Sequence, residues 1–336
     1  MEIPLPRLDL PLPDPGTPMQ LNRRVLPIDR LVAAYNLILA GVWALYLGRA
    51  AYVPWIVAAH AAGAFLPVLW RRAPLPLSQP LRAIRDLYPL IWLGAFWAEL
   101  ALLHSLRIAP GLDPQIAALD LAVFGSHLNE TWMPGTRQLW VSELLHFSYW
   151  AYYLLIGIPP LVLALTRRTQ ALRDLVFRLM LVYLTCYLVF IVAPVYGPRE
   201  LAARYEGPLT QGFFYQLVYN TLSIGESPGC AFPSSHVAAA ATIALVGWRW
   251  FSRPIGILLG LEAIGVALGT FFTQNHYAID SLAGIIWGAG FAVLVAPVLM
   301  RRLDRPLLHP KPEPEIAPPS KSPPVPDLAG RAELES

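Results

Sequence analysis

The sequence predicts an all-α protein, a polytopic bundle of transmembrane helices. Of its 336 residues, 56% are hydrophobic and only 14% are charged. The apolar residues are concentrated in runs long enough to cross a bilayer as helices, which takes about 20 residues. Lysines and arginines collect in alternate loops, which is typical of a chain that crosses a membrane repeatedly.

Eight apolar runs justify eight predicted spans, each with bounds expected to hold within about 2–4 residues. They are residues 31–48, 52–70, 87–106, 140–165, 175–194, 233–250, 254–272 and 276–300. The first run follows a polar, proline-rich leader, and no small-residue cleavage site comes after it. We therefore expect it to be a retained helix and not a cleaved signal.

The placement of positive charge predicts the orientation. All but five of the 25 Lys and Arg residues lie before the first span, after the last span, or in or beside the inter-span loops predicted on the same side. The positive-inside rule then puts both termini in the cytoplasm, which suits a plasma (inner) membrane. The loops before the sixth and eighth spans face outward. The five exceptions are Arg49, Arg107, Arg137, Arg199 and Arg204.

The two ends of the chain differ in composition from the spans. Residues 1–30 and 301–336 are rich in proline and poor in aromatic residues, so we expect disordered cytoplasmic tails around a transmembrane domain at 31–300. Two outer loops are long. In the second, Phe213, Phe214, Leu217, Val218 and Leu222 recur at helical spacing. They predict a short helix that either dips into the lipid headgroups or packs across the mouth of the bundle.

Two short motifs carry the chemistry. Phe232-Pro-Ser-Ser-His236 precedes the sixth span, where hydroxyls and the unpaired N–H groups of a helix start form an anion site. Asn275-His-Tyr-Ala-Ile-Asp280 precedes the eighth. Its four-residue step places His276 and Asp280 on one helix face, so the carboxylate can fix the tautomer of the imidazole. Both histidines are predicted at helix mouths on one membrane surface, which indicates phosphoryl chemistry.

These motifs resemble the type 2 phosphatidic acid phosphatase superfamily and, within it, the inositol phosphorylceramide synthase or inositolphosphotransferase-like branch. The resemblance rests on Pro233-Ser-Ser-His236 and on His276-Tyr-x-x-Asp280 with Gly284. Two upstream segments also match, Pro194-x-x-x-Pro198-Arg199 and Leu112-Asp113-Pro114 through Asp120 with Phe124-Gly125. It extends over about residues 87–300 and implies a six-helix phosphatase-like core.

The resemblance implies a covalent route and assigns the roles. His276 attacks a phosphate ester to form a phosphohistidine, Asp280 holds its imidazole, and His236 protonates the leaving alcohol and then activates the acceptor. Arg199, Ser234 and Ser235 bind the phosphate. No metal and no other cofactor is implied. The expected partners are a phospholipid or isoprenoid phosphate, a hydroxyl acceptor or water, and membrane lipids, with no nucleic acid.

The chain departs from the phosphatase pattern at three positions. Gly269 and Thr270 replace a Ser-Arg pair, and Val192 stands where a lysine is expected. Two phosphate-binding cations are therefore missing, which favours transfer over simple hydrolysis and leaves Arg199 as the main cationic ligand. Arg204 and Arg137 are alternatives.

Other polar residues of the spans leave further interpretations open. Glu262 and His60 lie near the middle of their spans and could meet, and Glu99, Glu143, His146 and Tyr149 could line an acceptor pocket. His104 and His127 are interpreted as loop or interface residues, and Cys186 and Cys230 as free thiols.

Phosphotransfer is the leading hypothesis, and lipid-phosphate or polyprenyl-diphosphate hydrolysis by the same residues is the first alternative. A transporter or flippase using His60, Glu262, His236 and His276 is an alternative from another class. A zinc site of His236, His276 and Asp280 is a third.

Overall fold

A computed structural model describes residues 25–72, 77–107, 111–223, 225 and 227–304 of the chain. Within these residues the fold is entirely helical, so the predicted fold class is confirmed. The helices are α1 Pro27–Ala44, α2 Val53–Ala64, α3 Leu66–Arg72, α4 Gln79–Leu106, α5 Asp113–Phe124, α6 Leu128–Gly135, α7 Leu139–Leu165, α8 Thr169–Val192, α9 Pro198–Leu201, α10 Phe213–Leu222, α11 Ser235–Trp250, α12 Arg253–Phe272, α13 Ala278–Gly290 and α14 Ala296–Asp304.

Each of the eight predicted spans corresponds to helix in the structure. In the described part of the chain, six helical segments are long and apolar enough to cross a membrane: 53–70, 80–106, 139–165, 169–192, 253–272 and 278–304. Helices α1 and α11, with 18 and 16 residues, account for the other two predicted spans. The last segment is continuous because a π-helical turn at Phe291–Val295 joins α13 to α14.

Two predicted boundaries are wrong by more than four residues. Helix α4 begins at Gln79 instead of 87, and α8 begins at Thr169 instead of 175. The apolar runs are interrupted at those points by charged residues. These residues pair with one another, and the chain remains helical through them. Arg173 Nε donates to Asp86 Oδ1 at 2.8 Å between α8 and α4. Hydropathy alone cannot foresee such pairing.

The second predicted span is not one regular helix. It divides at Phe65 into α2 and α3, and Pro67 is the second residue of α3. Proline has no N–H to donate and clashes with the carbonyl four residues earlier, so it fits only the first turn of a new helix.

Helix α8 lies at the centre of the bundle. Buried residues make up 78% of its most apolar window, compared with 17–44% for the other membrane-length segments. It packs against α1, α4, α7 and α11. The apolar core therefore surrounds one helix, and the site lies at the end of the bundle where α8 terminates.

Two glycines set the close approach of α13 to α11. A Cβ on Gly284 would lie 2.6 Å from the Ser234 carbonyl oxygen, and one on Gly288 would lie 2.2 Å from that of Ala238. This small-residue face, repeated after four residues, allows the two helix backbones to touch. Because His236 and His276 stand at the starts of these helices, the same packing brings the two histidines together.

The long loops fold into short helices. The first contains α5 and α6, and the second contains α9, a 3₁₀ turn at Pro208–Gln211 and the predicted α10. Helix α10 packs on α7, with Tyr215, Val218 and Leu222 buried and Phe213 exposed. Most of the two tails that we predicted to be disordered lies outside the described residues, but α1 already begins at Pro27 and α14 continues to Asp304.

Candidate active site

Four of the predicted site residues line one cavity of about 500 Å³. They are His236, His276, Arg199 and Ser235. The loops that carry them are joined by backbone hydrogen bonds. Val195 N–H donates to the Gly229 carbonyl at 3.2 Å, and Ala231 N–H donates to the Val195 carbonyl at 2.8 Å.

His276 and Asp280 form the predicted pair. Nδ1 of His276 lies 3.2 Å from Oδ2 of Asp280, and the Tyr277 N–H donates to the same oxygen at 2.9 Å. Asp280 is fully buried and His276 is 5% exposed. A carboxylate can only accept, so the contact favours the Nδ1–H tautomer and leaves Nε2 with the lone pair. This arrangement suits a nucleophilic imidazole.

His236 lies next to the pair at the first turn of α11. Its ring centroid is 6.2 Å from that of His276. On its other side are tyrosine rings of α7, with centroid distances of 4.2 Å to Tyr152 and 5.5 Å to Tyr149. Nδ1 of His236 is buried and has no hydrogen-bond partner among the described residues. The ring is therefore placed to exchange a proton with a group in the cavity.

The loop that carries Arg199 is held by a carboxylate that sequence reasoning matched but gave no role. Asp113, at the start of α5, accepts from the Tyr196 N–H at 3.0 Å and the Gly197 N–H at 2.7 Å. Gly197 has φ of 81°, and a Cβ there would lie 2.9 Å from the Ala231 side chain. Glycine is thus required at this position, where the loop that carries Arg199 passes close to the loop that carries Ala231.

Arg199 lies beside the histidines and is half-buried. Burial lowers the pKa of its guanidinium from the usual value, mainly because the charge is partly removed from water, and nearby Arg204 acts in the same direction. A bound phosphate would favour the charged form. Arg204 itself stacks on Tyr219, 5.0 Å from the ring centroid. Neither Arg204 nor Arg137 is among the residues lining the cavity.

The structure does not bring Ser234 into the cavity. Ser234 is fully buried, its hydroxyl accepts from the Val237 N–H at 3.4 Å, and its own N–H donates to the Asp280 carbonyl at 3.1 Å. It is the N-cap of α11 and ties this helix to α13. Ser235 is the serine of the motif that lines the cavity.

A second carboxylate of α5 holds the start of α13. Asp120 is fully buried and accepts from the Ile279 N–H at 2.9 Å, while Nδ1 of His127 lies 3.1 Å from its other oxygen. Helix α5 therefore fixes both the arginine loop and the helix that begins beside His276. The Asp-x₆-Asp spacing of Asp113 and Asp120, two turns of one helix face, is the sequence signal that could have indicated this role.

The three departures from the phosphatase pattern have structural explanations. Gly269 lies where a Cβ would be 2.7 Å from the Leu145 carbonyl oxygen, so α12 packs closely on α7. The hydroxyl of Thr270 is 2.5 Å from that of Ser281. Val192 is 73% exposed. None of the three lines the cavity.

The possible meeting of His60 and Glu262 does not occur in the structure. The ring nitrogens of His60 lie 2.9 Å from Asn36 Oδ1 and 2.6 Å from Glu99 Oε2. Glu262, on α12, lies near the Ser148 side chain of α7.

Of the four residues proposed for an acceptor pocket, only Tyr149 lines the cavity. Glu99 pairs with His60, Glu143 accepts from the Phe214 N–H at 3.1 Å, and His146 Nδ1 bonds to the Ser142 carbonyl at 2.7 Å. His104 bridges the carbonyls of Phe190 and Pro228. Cys186 and Cys230 are free, as predicted, and both are buried.

Sequence reasoning missed most of the aromatic lining. The cavity extends from the histidines between α4, α7 and α8, where its walls are mainly apolar. The Tyr152 and Tyr183 hydroxyls are hydrogen-bonded to each other. Lining residues that were not foreseen include Leu90, Leu93, Gly94, Trp97, Tyr152, Tyr153, Ile156, Tyr183 and Tyr187. In the sequence these are ordinary members of apolar runs.

The geometry of the described residues offers no group of three or more His, Cys, Asp or Glu side chains that could hold a metal ion. In particular, Asp280 holds His276 through Nδ1 and also accepts from Tyr277, so the three residues of the zinc hypothesis do not converge on one point.

A membrane-length helical bundle with two histidines, a buried carboxylate and an arginine at one cavity defines a class, the helical membrane enzymes of phosphate-ester chemistry. The family model described as the PAP2 superfamily matches residues 115–294. The chain belongs to this superfamily and is an enzyme of the phosphatase or phosphotransferase type that acts on lipid phosphates. Neither the curated proteins nor the solved structures include a significant match to it.

Proposed function

We propose that this enzyme is a lipid phosphotransferase that works through a phosphohistidine on His276, as in the inositolphosphotransferase-like branch. One observation carries the choice of transfer over hydrolysis. The ring centroid of His236, the proposed proton-transferring residue, lies 4.2 Å from that of Tyr152 and 5.5 Å from that of Tyr149, in the aromatic part of the cavity. An alcohol with an apolar or ring-shaped body has room there next to the base. The same residues would hydrolyse the ester if water took that place.

The first chemical step transfers the phosphoryl group to the enzyme. Nε2 of His276 attacks phosphorus, the bond from phosphorus to the leaving alcohol oxygen breaks, and protonated His236 gives that oxygen its proton. Asp280 stabilises the developing positive charge on the imidazole. Arg199 and the N–H groups at the start of α11 bind the equatorial oxygens.

The second step transfers the phosphoryl group to the acceptor and returns a proton to His236. The acceptor hydroxyl attacks phosphorus, neutral His236 takes its proton, and the bond from phosphorus to Nε2 breaks. Since both steps use His236 in opposite directions, its position 6.2 Å from His276, ring centre to ring centre, suits a phosphorus atom between the two rings.

The cavity lining supports a lipid donor. Its polar end holds the histidines and Arg199, and its body is lined by apolar residues of α4 and α7 such as Leu90, Leu93 and Ile156. A phospholipid or isoprenoid phosphate has the same division between head and chain. The charge distribution supports placing the site on the outer face, because most Lys and Arg residues lie on the other side.

The test uses the purified full-length protein with labelled phosphatidylinositol, phosphatidate or a polyprenyl diphosphate, each with and without an added alcohol acceptor. We expect a labelled transfer product and an alkali-stable, acid-labile phosphoenzyme, both lost in His276→Ala. Free phosphate without a new lipid product would refute transfer and leave hydrolysis. A phosphoenzyme that persists in His276→Ala would refute the assigned nucleophile.

A matched pair of arginine variants tests the phosphate ligand. Arg199→Gln should lower kcat/KM by at least tenfold because it removes a cation from the cavity. Arg137→Gln, at an exposed arginine outside the lining, should have little effect. Equal losses in both would overturn the assignment of Arg199.

A further inference from the structure

A second cavity, of about 230 Å³, lies where α4 begins, α7 ends and α8 begins. Its lining includes Arg82, Asp86, Arg167 and Thr169. It is far from the active site, because Arg167 follows Tyr149 by 18 residues and a helix rises about 1.5 Å per residue. The separation along α7 from the histidine end of the active-site cavity is thus about 25 Å.

The start of α8, beside this cavity, has arginines where helix starts favour acidic residues. Its first turn contains no acidic residue, and its N-cap residue, Arg168, provides no side-chain cap. Arg167 and Arg168 immediately precede it. Helix starts carry partial positive charge and favour anions, so arginines here repel the helix end and one another. An anion in the cavity would relieve both interactions.

Arg167 adopts a backbone conformation that favours glycine. Its φ is 60°, and it ends α7 with hydrogen bonds from its own N–H to Ala164 at 3.1 Å and from the Arg168 N–H to Leu163 at 2.9 Å. This left-handed position after a helix is most often glycine, and a side chain there is disfavoured. An arginine at this position places a cation on the cavity at a conformational cost.

Asp86, a carboxylate in the lining of this cavity, is already paired with an arginine. Asp86 accepts from Nε of Arg173 at 2.8 Å, and both side chains are at least nine-tenths buried. Nη1 of Arg173 is also buried and has no hydrogen-bond partner among the described residues. With Asp86 paired in this way, Arg82 and Arg167 leave the lining with a net positive charge.

The surroundings favour a lipid over a soluble ion. Leu81 and Ile84 of α4 are 53% and 61% exposed, and Leu165 of α7 is 72% exposed. Each is next in sequence to a residue that lines the cavity, so exposed apolar side chains lie near it on α4 and α7. We propose that the cavity binds the phosphate of an anionic phospholipid headgroup, with Arg82 and Arg167 as its cationic ligands.

The test measures binding to the purified full-length protein in neutral detergent, independently of catalysis. Phosphatidylglycerol, phosphatidylcholine and inorganic phosphate are compared by native mass spectrometry and by the unfolding temperature. We expect phosphatidylglycerol alone to bind and to stabilise the wild type. In Arg82→Gln/Arg167→Gln its affinity should fall about 25-fold, since each arginine contributes about 1 kcal/mol toward anionic lipid and 1.4 kcal/mol is tenfold. Unchanged affinity, or equal stabilisation by inorganic phosphate, would overturn the proposal.

Two further variants keep the test decisive. Arg72→Gln/Arg253→Gln removes two exposed arginines that do not line the cavity and should bind phosphatidylglycerol like the wild type. If this pair loses as much affinity, general surface charge explains the binding and the proposal fails. Arg167→Gly should raise the unfolding temperature without lipid, because it relieves the left-handed residue, but should weaken the stabilisation by phosphatidylglycerol.

Discussion

At the scale of single residues, the site depends on one carboxylate that does two things. Asp280 orients His276 through Nδ1 and also accepts the backbone N–H of Tyr277, so the ring and the helix start are held by the same group. Its full burial keeps water from competing for these bonds. Orientation of His276, the proposed nucleophile, is therefore built into one turn of the chain.

Asp280→Asn should lower kcat by about 100-fold or more while KM changes little. An amide can donate where the carboxylate only accepts, so it can favour the wrong tautomer and cannot stabilise the positive charge that forms on the ring. Steady-state kinetics with a lipid phosphate substrate would check this. The control is Glu130→Gln, which changes an exposed acid outside the cavity lining. A wild-type kcat in Asp280→Asn would contradict the role of Asp280.

At the scale of helices, the meeting of two histidines depends on glycines that carry no chemistry. The Gly284 and Gly288 face of α13 lets it lie directly on α11. Neighbouring Gly290 differs, since a Cβ there would have nothing within 4 Å. Gly288 and Gly290 are only two residues apart in the same helix, so they form a matched pair for testing the packing.

Gly288→Ala should destabilise the protein by about 1–3 kcal/mol, because the added methyl group must push the two helices apart. Gly290→Ala should be neutral or stabilising by up to about 1 kcal/mol, because alanine restricts the unfolded chain. Thermal unfolding in detergent measures both, and activity should fall only in Gly288→Ala. Equal effects at the two positions would show that contact between α11 and α13 is not limiting.

At the scale of the whole molecule, a polar network attaches the first two helices to the rest. The superfamily match begins only at residue 115, after α1, α2 and α4. His60 on α2 joins Asn36 on α1 to Glu99 on α4, and Trp43 Nε1 also donates to Glu99 at 3.1 Å. Both ring nitrogens of His60 thus lie within hydrogen-bond distance of oxygens on neighbouring helices. The contact between His60 and Glu99 therefore holds α4, which forms one wall of the active-site cavity.

His60→Leu should destabilise the protein by about 3 kcal/mol, because the largely buried Glu99 carboxylate loses its His60 partner and keeps the Trp43 N–H. Replacing both residues with leucine should recover most of the loss, since an apolar pair needs no partner. Unfolding temperatures of the two single variants and the double variant form the required cycle. A double variant as unstable as the sum of the two single variants would show that the residues do not interact.

The local parts of the site could be predicted from sequence, but their environment could not. The pairing of His276 with Asp280 follows from a four-residue step on one helix, and Ser235 and His236 follow from their place at a helix start. Ser234 belongs to the same motif, yet it is a buried cap, because its N–H meets Asp280 of another helix. His60 and Glu262 share a similar depth in their spans, and depth does not say which helices are neighbours.

The sequence by itself determined the all-helical fold class and the positions of the long apolar helices, and it predicted the site residues, because apolar runs and i, i+4 spacing are properties of short segments. Only the tertiary structure decided what surrounds those side chains. Tyr152 and Tyr183, 31 residues apart, bond to each other, and Asp120 holds a backbone group 159 residues away. Such contacts depend on how helices pack, and at the active site that packing is set by glycines and buried polar groups whose partners lie far along the chain.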